Sequence, residues 1–215
     1  MLTQDICDVC AVNAATAACD LPAGARMVML QATTIAGLHA DIAAVAAATG
    51  VAPRGVALSA RIEAQLGALA GAPSIRATVV TVEWGDPPFL GGHWVPELVH
   101  LAGGEHLLSA AGDASRRSTW EEIAAVDPDL IVFLPCGYHL REAAAEAERL
   151  VELPTVRRLR AVQAGRFWAT NATALFSRCT PAIVDAASTL AAIVRGEAPD
   201  PRAAVAIAPG VIRSS

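Results

Sequence analysis

Two short runs of apolar, largely β-branched residues constrain the fold of this chain more than any other feature. They are RATVVTVEW at residues 76–84 and LIVFLP at residues 130–135, and both have the character of buried strands. Stretches with helical spacing follow each run, and RFWATN at residues 166–171 predicts a third strand. Strands that alternate with helices form parallel sheets covered by helices on both faces. The pattern from residue 76 onward therefore predicts a three-layer α/β unit.

The first third of the chain carries less of this pattern. RMVMLQ at residues 26–31 is its one convincing strand, and two helices are predicted after it, at residues 35–49 and from Pro53 to Gly71. One strand cannot build a sheet that buries both of its faces. We therefore expect this part to be the remnant of an incomplete lobe. Further along, Ser118 with Glu121 three residues later predicts a capping box at the start of a helix.

Charge and hydropathy narrow the function classes. The net charge is −5 and no basic stripe is present, which argues against a nucleic-acid partner. No segment approaches the ~18 uninterrupted apolar residues of a membrane span. The first twelve residues, MLTQDICDVCAV, lack the features of a signal peptide, so the chain as written would stay in the cytoplasm. The pair Cys7 and Cys10 has no second pair and no histidine at ligand distance, which disfavours a zinc site.

Aromatic side chains concentrate in the loops that follow the predicted strands. None occurs before residue 84, and EWGDPPFLGGHW at residues 83–94 holds two tryptophans and a phenylalanine. Ligands of open parallel sheets bind outside the carboxyl ends of the strands. We expect one ligand mouth there, lined by Trp84, Phe89, His93, Trp94, Cys136, Tyr138 and Phe176. Such a mouth suits a large, flat, partly apolar ligand. The absence of a nucleophile elbow, a phosphate-binding glycine loop and a carboxylate dyad predicts a binding protein with no catalytic residue, cofactor or metal.

Three segments together resemble a known family. VVTVEWGDPPFLGGHWVPELVHLAGGEHLL, WEEIAAVDPDLIVFLPCGY and ATNATALFSR followed by PAIVDA are similar to the cobalamin- and iron-siderophore-type substrate-binding proteins of ABC importers, most closely the cobalamin-binding branch. The resemblance covers essentially the whole chain. It implies an α/β fold of two three-layer lobes joined by a long helix. Residues 1–51 would be the remnant of the N-terminal lobe, 52–72 the connecting helix, and 73–215 a complete C-terminal lobe.

The resemblance also implies a role for particular residues. Cobalamin or a related corrinoid would lie between the lobes, with Asp5, Cys7 and Cys10 facing it from the N-terminal lobe. Glu121 matches the acidic residue with which the family docks onto an arginine of the membrane permease. The implied partners are that permease and its ATPase, and the implied location is periplasmic or extracytoplasmic.

The sequence departs from the family pattern in two places, and three other interpretations stay open. Relatives carry a secretion signal and about a third of the fold before LTQD, and their second arginine after the last strand is Ala182 here, although Arg178 and Pro181 are kept. A ferric siderophore or haem could replace the corrinoid as ligand. From another class, the chain could be a cytoplasmic thiol or redox protein that uses Cys7, Cys10 and Cys136. It could also be a fragment without a ligand.

Overall fold

The elements of the chain are those of a mixed α/β protein, as the sequence predicts. The computed structural model describes residues 2–4, 27–69 and 77–208. Its strands are β1 (Leu2–Gln4), β2 (Val28–Leu30), β3 (Thr78–Gly85), β4 (Pro88–Leu90), β5 (Glu105–His106), β6 (Arg116–Arg117), β7 (Leu130–Phe133), β8 (Phe167–Thr170) and β9 (Ala204–Ile207). Its helices are α1 (Ile35–Ala48), α2 (Ala52–Leu69), α3 (Val95–Leu101), α4 (Trp120–Val126), α5 (Leu140–Leu150), α6 (Pro154–Arg157), α7 (Arg160–Gln163), α8 (Ala172–Leu175) and α9 (Ile183–Arg195).

The larger sheet has the strand order β6-β4-β3-β7-β8-β9, and β5 pairs with the start of β3. Its centre is parallel, since β3 pairs with β7 and β7 with β8 in the same direction. Its margins are antiparallel at β4, β6 and β9, which the expectation of a purely parallel sheet misses. The reason is connection length: two residues join β3 to β4, and a link that short can only close a hairpin.

The sheet buries a hydrophobic cluster on each face, which gives the three layers. The side chains of β3 alternate between them: Val79 packs in the cluster formed with α1, α2, α3 and α9, whereas Val80 and Val82 pack in the cluster formed with α4 to α7. The strand β7 is buried on both sides along its whole length. This explains why its sequence, LIVF, is continuously apolar rather than alternating.

A second, two-stranded sheet lies at the start of the chain. Its strands β1 and β2 are parallel, with Leu2 opposite Val28. The helices α1 and α2 follow, and α1 is tied to α3 by the Ile35 amide, which donates to the Glu97 carboxylate at 2.7 Å. The predicted division of the chain at residues 51/52 and 72/73 stays a prediction. In the part of the chain with described coordinates, no helix has the length and hydrophobicity to cross a bilayer.

Candidate functional site

The exposed part of the predicted mouth is centred on Trp84, the second-to-last residue of β3. Its side chain is 40% exposed, and its indole Nε1 donates to the carbonyl oxygen of Asp86 at 3.1 Å. Tyr138, in the loop after β7, contacts it edge to face, with ring centroids 5.8 Å apart and planes at 76°. The two rings form an aromatic surface at the carboxyl ends of neighbouring parallel strands, where a ligand can stack.

Two further segments meet at this aromatic surface, together with the loop that carries Tyr138. Phe89 on β4 is half-buried and lies opposite Trp84 in the hairpin register. Cys136 is exposed, and its amide donates to the Glu83 carbonyl at 3.3 Å. The amide of Gly137, a residue with φ +83°, donates to the Ser177 hydroxyl at 2.9 Å. The end of β3 and the loops after β7 and β8 are therefore joined by hydrogen bonds.

An open groove of about 500 Å³ adjoins the aromatic pair. It is lined by Gly137, Tyr138, Glu142, Ala145 and Arg149 along α5. Partial burial, reinforced by the carboxylate of Glu146, raises the pKa of the Tyr138 hydroxyl. The phenol donates its hydrogen to the Glu146 carboxylate, and this hydrogen bond also favours its protonated form.

Three of the predicted mouth residues lie deeper than the sequence analysis expects. Trp94 and Phe176 are only 5% and 4% exposed, and both pack in the cluster that contains Val79. His93 is half-buried and stacks on Trp94, with ring centroids 5.9 Å apart. Its backbone has φ +54°, and its amide donates to the Asp113 carbonyl. Burial lowers the pKa of the His93 imidazole, which favours its neutral form. Trp94 and Phe176 are therefore core residues in this structure, and His93 packs on Trp94.

Glu83 is a residue that the sequence analysis did not select. It precedes Trp84 on β3, at a register shift of the hairpin, and its carboxyl lies next to the Gly92 amide and Ser115. Burial raises the pKa of its carboxyl from 4.5 to about 7, although these two neighbours oppose the effect. Its burial depends on the loop at residues 112–115, which is distant in sequence. No local sequence pattern predicts that this loop covers Glu83.

The cysteines divide into two groups. Cys7 and Cys10, together with Asp5, lie outside the described residues. Of the two that are described, Cys179 is half-buried, and burial raises the pKa of its thiol to about 12. Such a thiol is a poor nucleophile, because the thiolate is the reactive form. Within the described ranges, no three side chains of the metal-binding types come together as a metal site.

The start of α4 separates the roles of two adjacent glutamates and corrects the predicted capping box. The cap is Thr119, in an extended conformation, and its hydroxyl accepts the Glu122 amide at 3.1 Å. Ser118 lies before the helix and donates its hydroxyl to the Glu122 carboxylate at 2.6 Å. The prediction of Ser118 and Glu121 was thus wrong by one residue. Glu121 is exposed, and it accepts a hydrogen bond of 3.3 Å from Thr155.

Comparisons with known proteins agree on a single fold. The sequence model of a family described as "Periplasmic binding protein" matches residues 17–174. A periplasmic haem-binding protein from Pseudomonas aeruginosa superposes with a TM-score of 0.68 at 22% identity, over 87% of this chain and 71% of its own. The apo form of the haem-binding protein RhuT from Roseiflexus sp. RS-1 gives 0.72 at 22% identity, over 86% and 72%.

A third solved structure belongs to an Fe3+-hydroxamate transport system of Saccharomonospora viridis DSM 43017. It superposes with a TM-score of 0.68 at 18% identity, over 89% of this chain and 68% of its own. No protein with a curated function matches the sequence. These structures establish the fold, and the chain spans about 70% of their lengths.

Proposed function

The chain belongs to the periplasmic binding protein family, whose members are transport substrate-binding proteins, and on that premise we propose that it delivers a tetrapyrrole to an ABC importer. The tetrapyrrole is haem or a corrinoid such as cobalamin. In this proposal the chain performs no catalysis, and it works outside the cytoplasm with a membrane permease and its ATPase. The structural neighbours that are haem-binding proteins support haem within this class.

The observation that carries this proposal is the exposed pair of Trp84 and Tyr138 at the carboxyl ends of β3 and β7. Monomeric proteins usually bury a tryptophan of this size, yet this one is 40% exposed. The edge-to-face contact holds both rings at fixed angles and leaves aromatic surface free. A flat macrocycle gains contact area against such a surface at little cost in side-chain entropy, because the rings are already ordered.

The neighbouring groups would supply the polar contacts of the site. The Tyr138 hydroxyl and the Arg149 guanidinium line the same groove. The guanidinium is a donor that suits acidic or amide substituents at the rim of a macrocycle, whereas the Tyr138 hydroxyl donates to Glu146 and can accept from a ligand. Cys136 and Phe89 extend the mouth on its other sides. Glu121 would be the carboxylate that meets a permease arginine.

A calorimetric titration of the purified protein tests the ligand class. Haemin, cyanocobalamin and a ferric hydroxamate are titrated separately at the same ionic strength. Saturable one-to-one binding of haemin or cyanocobalamin is the expected result. Binding of the hydroxamate alone would replace the tetrapyrrole with a siderophore as ligand. If none of the three bound, the proposal would be contradicted for this chain.

A further inference from the structure

The hairpin that carries the mouth is bound directly to the segment that carries Glu121. The indole Nε1 of Trp120 donates to the carbonyl oxygen of Gly85 at 3.1 Å. The amide of Ser118 donates to the carbonyl oxygen of Pro88 at 2.8 Å. Beyond the second of these bonds, β4 pairs with β6, and the mouth residue Phe89 lies opposite Arg117.

These links are shielded from water on the side of the core. Trp120 is 8% exposed and packs with the cluster that contains Val82, and Ser118 and Gly85 are buried. A methyl group on Gly85 would overlap Leu150 Cδ1 at 2.8 Å, so the end of β3 lies directly against α5. Buried hydrogen bonds between closely packed backbones leave little room for one segment to move without the other.

The charges at the start of α4 leave one carboxylate available. Arg116 contacts Glu122 at 2.6 Å, and Ser118 donates to the same carboxylate. Glu121 takes part in none of the ion pairs formed within the described ranges, and the Thr155 hydroxyl from α6 contacts it at 3.3 Å. An exposed carboxylate without a cation, held at the start of a helix, fits a partner that presents an arginine.

We propose that residues 84–90 and 116–122 form one mechanical unit, in which Trp120 positions Glu121 differently when a ligand is bound at the mouth and when it is not. A ligand that stacks on Trp84 restrains the end of β3. The bond from Gly85 to Trp120 passes that restraint to the residue next to Glu121. Chains of packed side chains and hydrogen bonds carry coupling of this kind between sites. The inference rests on the proposed function for the identity of its two ends, the ligand mouth and the docking carboxylate.

Hydrogen–deuterium exchange of the full chain tests the unit in two arms. In the first, without ligand, Trp120→Phe keeps the ring but removes the indole donor. The matched control is Trp168→Phe, on β8, outside the unit. We expect exchange to accelerate about five- to tenfold in the peptides covering 83–90 and 116–123 together, the effect of losing one buried hydrogen bond. The control should leave both peptides unchanged. Acceleration of residues 116–123 alone, or of neither peptide, would show that the two segments open independently.

In the second arm, haemin is added to the wild-type protein and to Trp120→Phe. In the wild type we expect haemin to protect both peptides, and in the variant only residues 83–90. Protection confined to 83–90 in the wild type would overturn the inference, since the restraint would not reach Glu121. If haemin protected neither peptide, haem as the proposed ligand would be rejected, and the ligand-free arm would still decide whether the unit exists.

Discussion

Replacing Glu83 by glutamine tests whether the carboxyl next to the mouth residue Trp84 loses its proton at a raised pH. The carboxyl is buried between β3, Gly92 and Ser115, and burial raises its pKa from 4.5 to about 7. The folded protein therefore binds this proton more tightly than the unfolded chain does. The free energy of unfolding then falls as the pH rises from about 4.5 through about 7, and it is constant above that range. A glutamine at this position cannot ionise and avoids the loss.

The size of the effect follows from the same pKa. Moving a pKa from 4.5 to about 7 corresponds to about 3 kcal/mol, and most of it develops between pH 5 and pH 8. Glu83→Gln should therefore gain about 2 to 3 kcal/mol relative to the wild type when the pH is raised from 5 to 8. Any fixed cost of the amide itself is the same at both values and cancels in this difference.

Urea unfolding followed by circular dichroism at pH 5 and pH 8 measures that difference. Glu105→Gln, on the adjacent strand β5, is the control, because its side chain is exposed and it removes one negative charge from the same sheet. The reasoning is refuted if the stability difference between Glu83→Gln and the wild type is the same at pH 5 and pH 8.

Two further predictions concern the same region. The half-buried His106 ring is hydrogen-bonded at Nε2 to the Thr81 hydroxyl at 2.8 Å, and desolvation lowers its pKa to about 4. A group that gains a proton on unfolding lowers the stability of the fold in acid. Between pH 7 and pH 4 the wild type should lose about 3 kcal/mol of stability relative to His106→Gln, and the same change in both proteins would contradict the assignment. Gly92→Ala should destabilise by about 1 to 3 kcal/mol, because its methyl group would lie 2.5 Å from the Asp113 carbonyl oxygen. Gly67→Ala, in an open position of α2, should instead stabilise by about 0.5 to 1 kcal/mol in the same melts, and the opposite order would refute the packing argument.

The sequence predicted the central strands well because burial on both faces leaves a strong local signal. The apolar runs at 76–84 and 130–135 became β3 and β7, with boundaries within two residues. The antiparallel margin at β4 and β6 was missed because these strands have only three and two residues, too few to show any periodicity. The capping error at Ser118 has a similar origin, since two adjacent hydroxyl residues offer the same pattern and tertiary contacts choose between them.

The residues of the predicted mouth lie at different depths. The rule that loops gather at the carboxyl ends of parallel strands predicted Trp84, Cys136 and Tyr138 at one edge of the sheet, and the structure places the rings of Trp84 and Tyr138 in contact. The rule could not indicate that Trp94 and Phe176 are covered, because their burial depends on how α3 and α9 pack against each other. The burial of Glu83 was invisible for the same reason: the loop that covers it lies about thirty residues further along the chain.

The most direct test compares the affinity of two variants, Trp84→Ala and Leu153→Ala, for the tetrapyrrole that the wild type binds. The two side chains are equally exposed, at 40% and 41%, but Leu153 lies at the start of α6, away from the mouth. Covering the exposed part of Trp84 removes about 100 Å² from water, equivalent to about 2.5 kcal/mol or a factor of roughly 70 in Kd. We expect the Kd to rise by a factor of several tens for Trp84→Ala and to stay unchanged for Leu153→Ala. Equal affinities for the two variants would contradict this expectation.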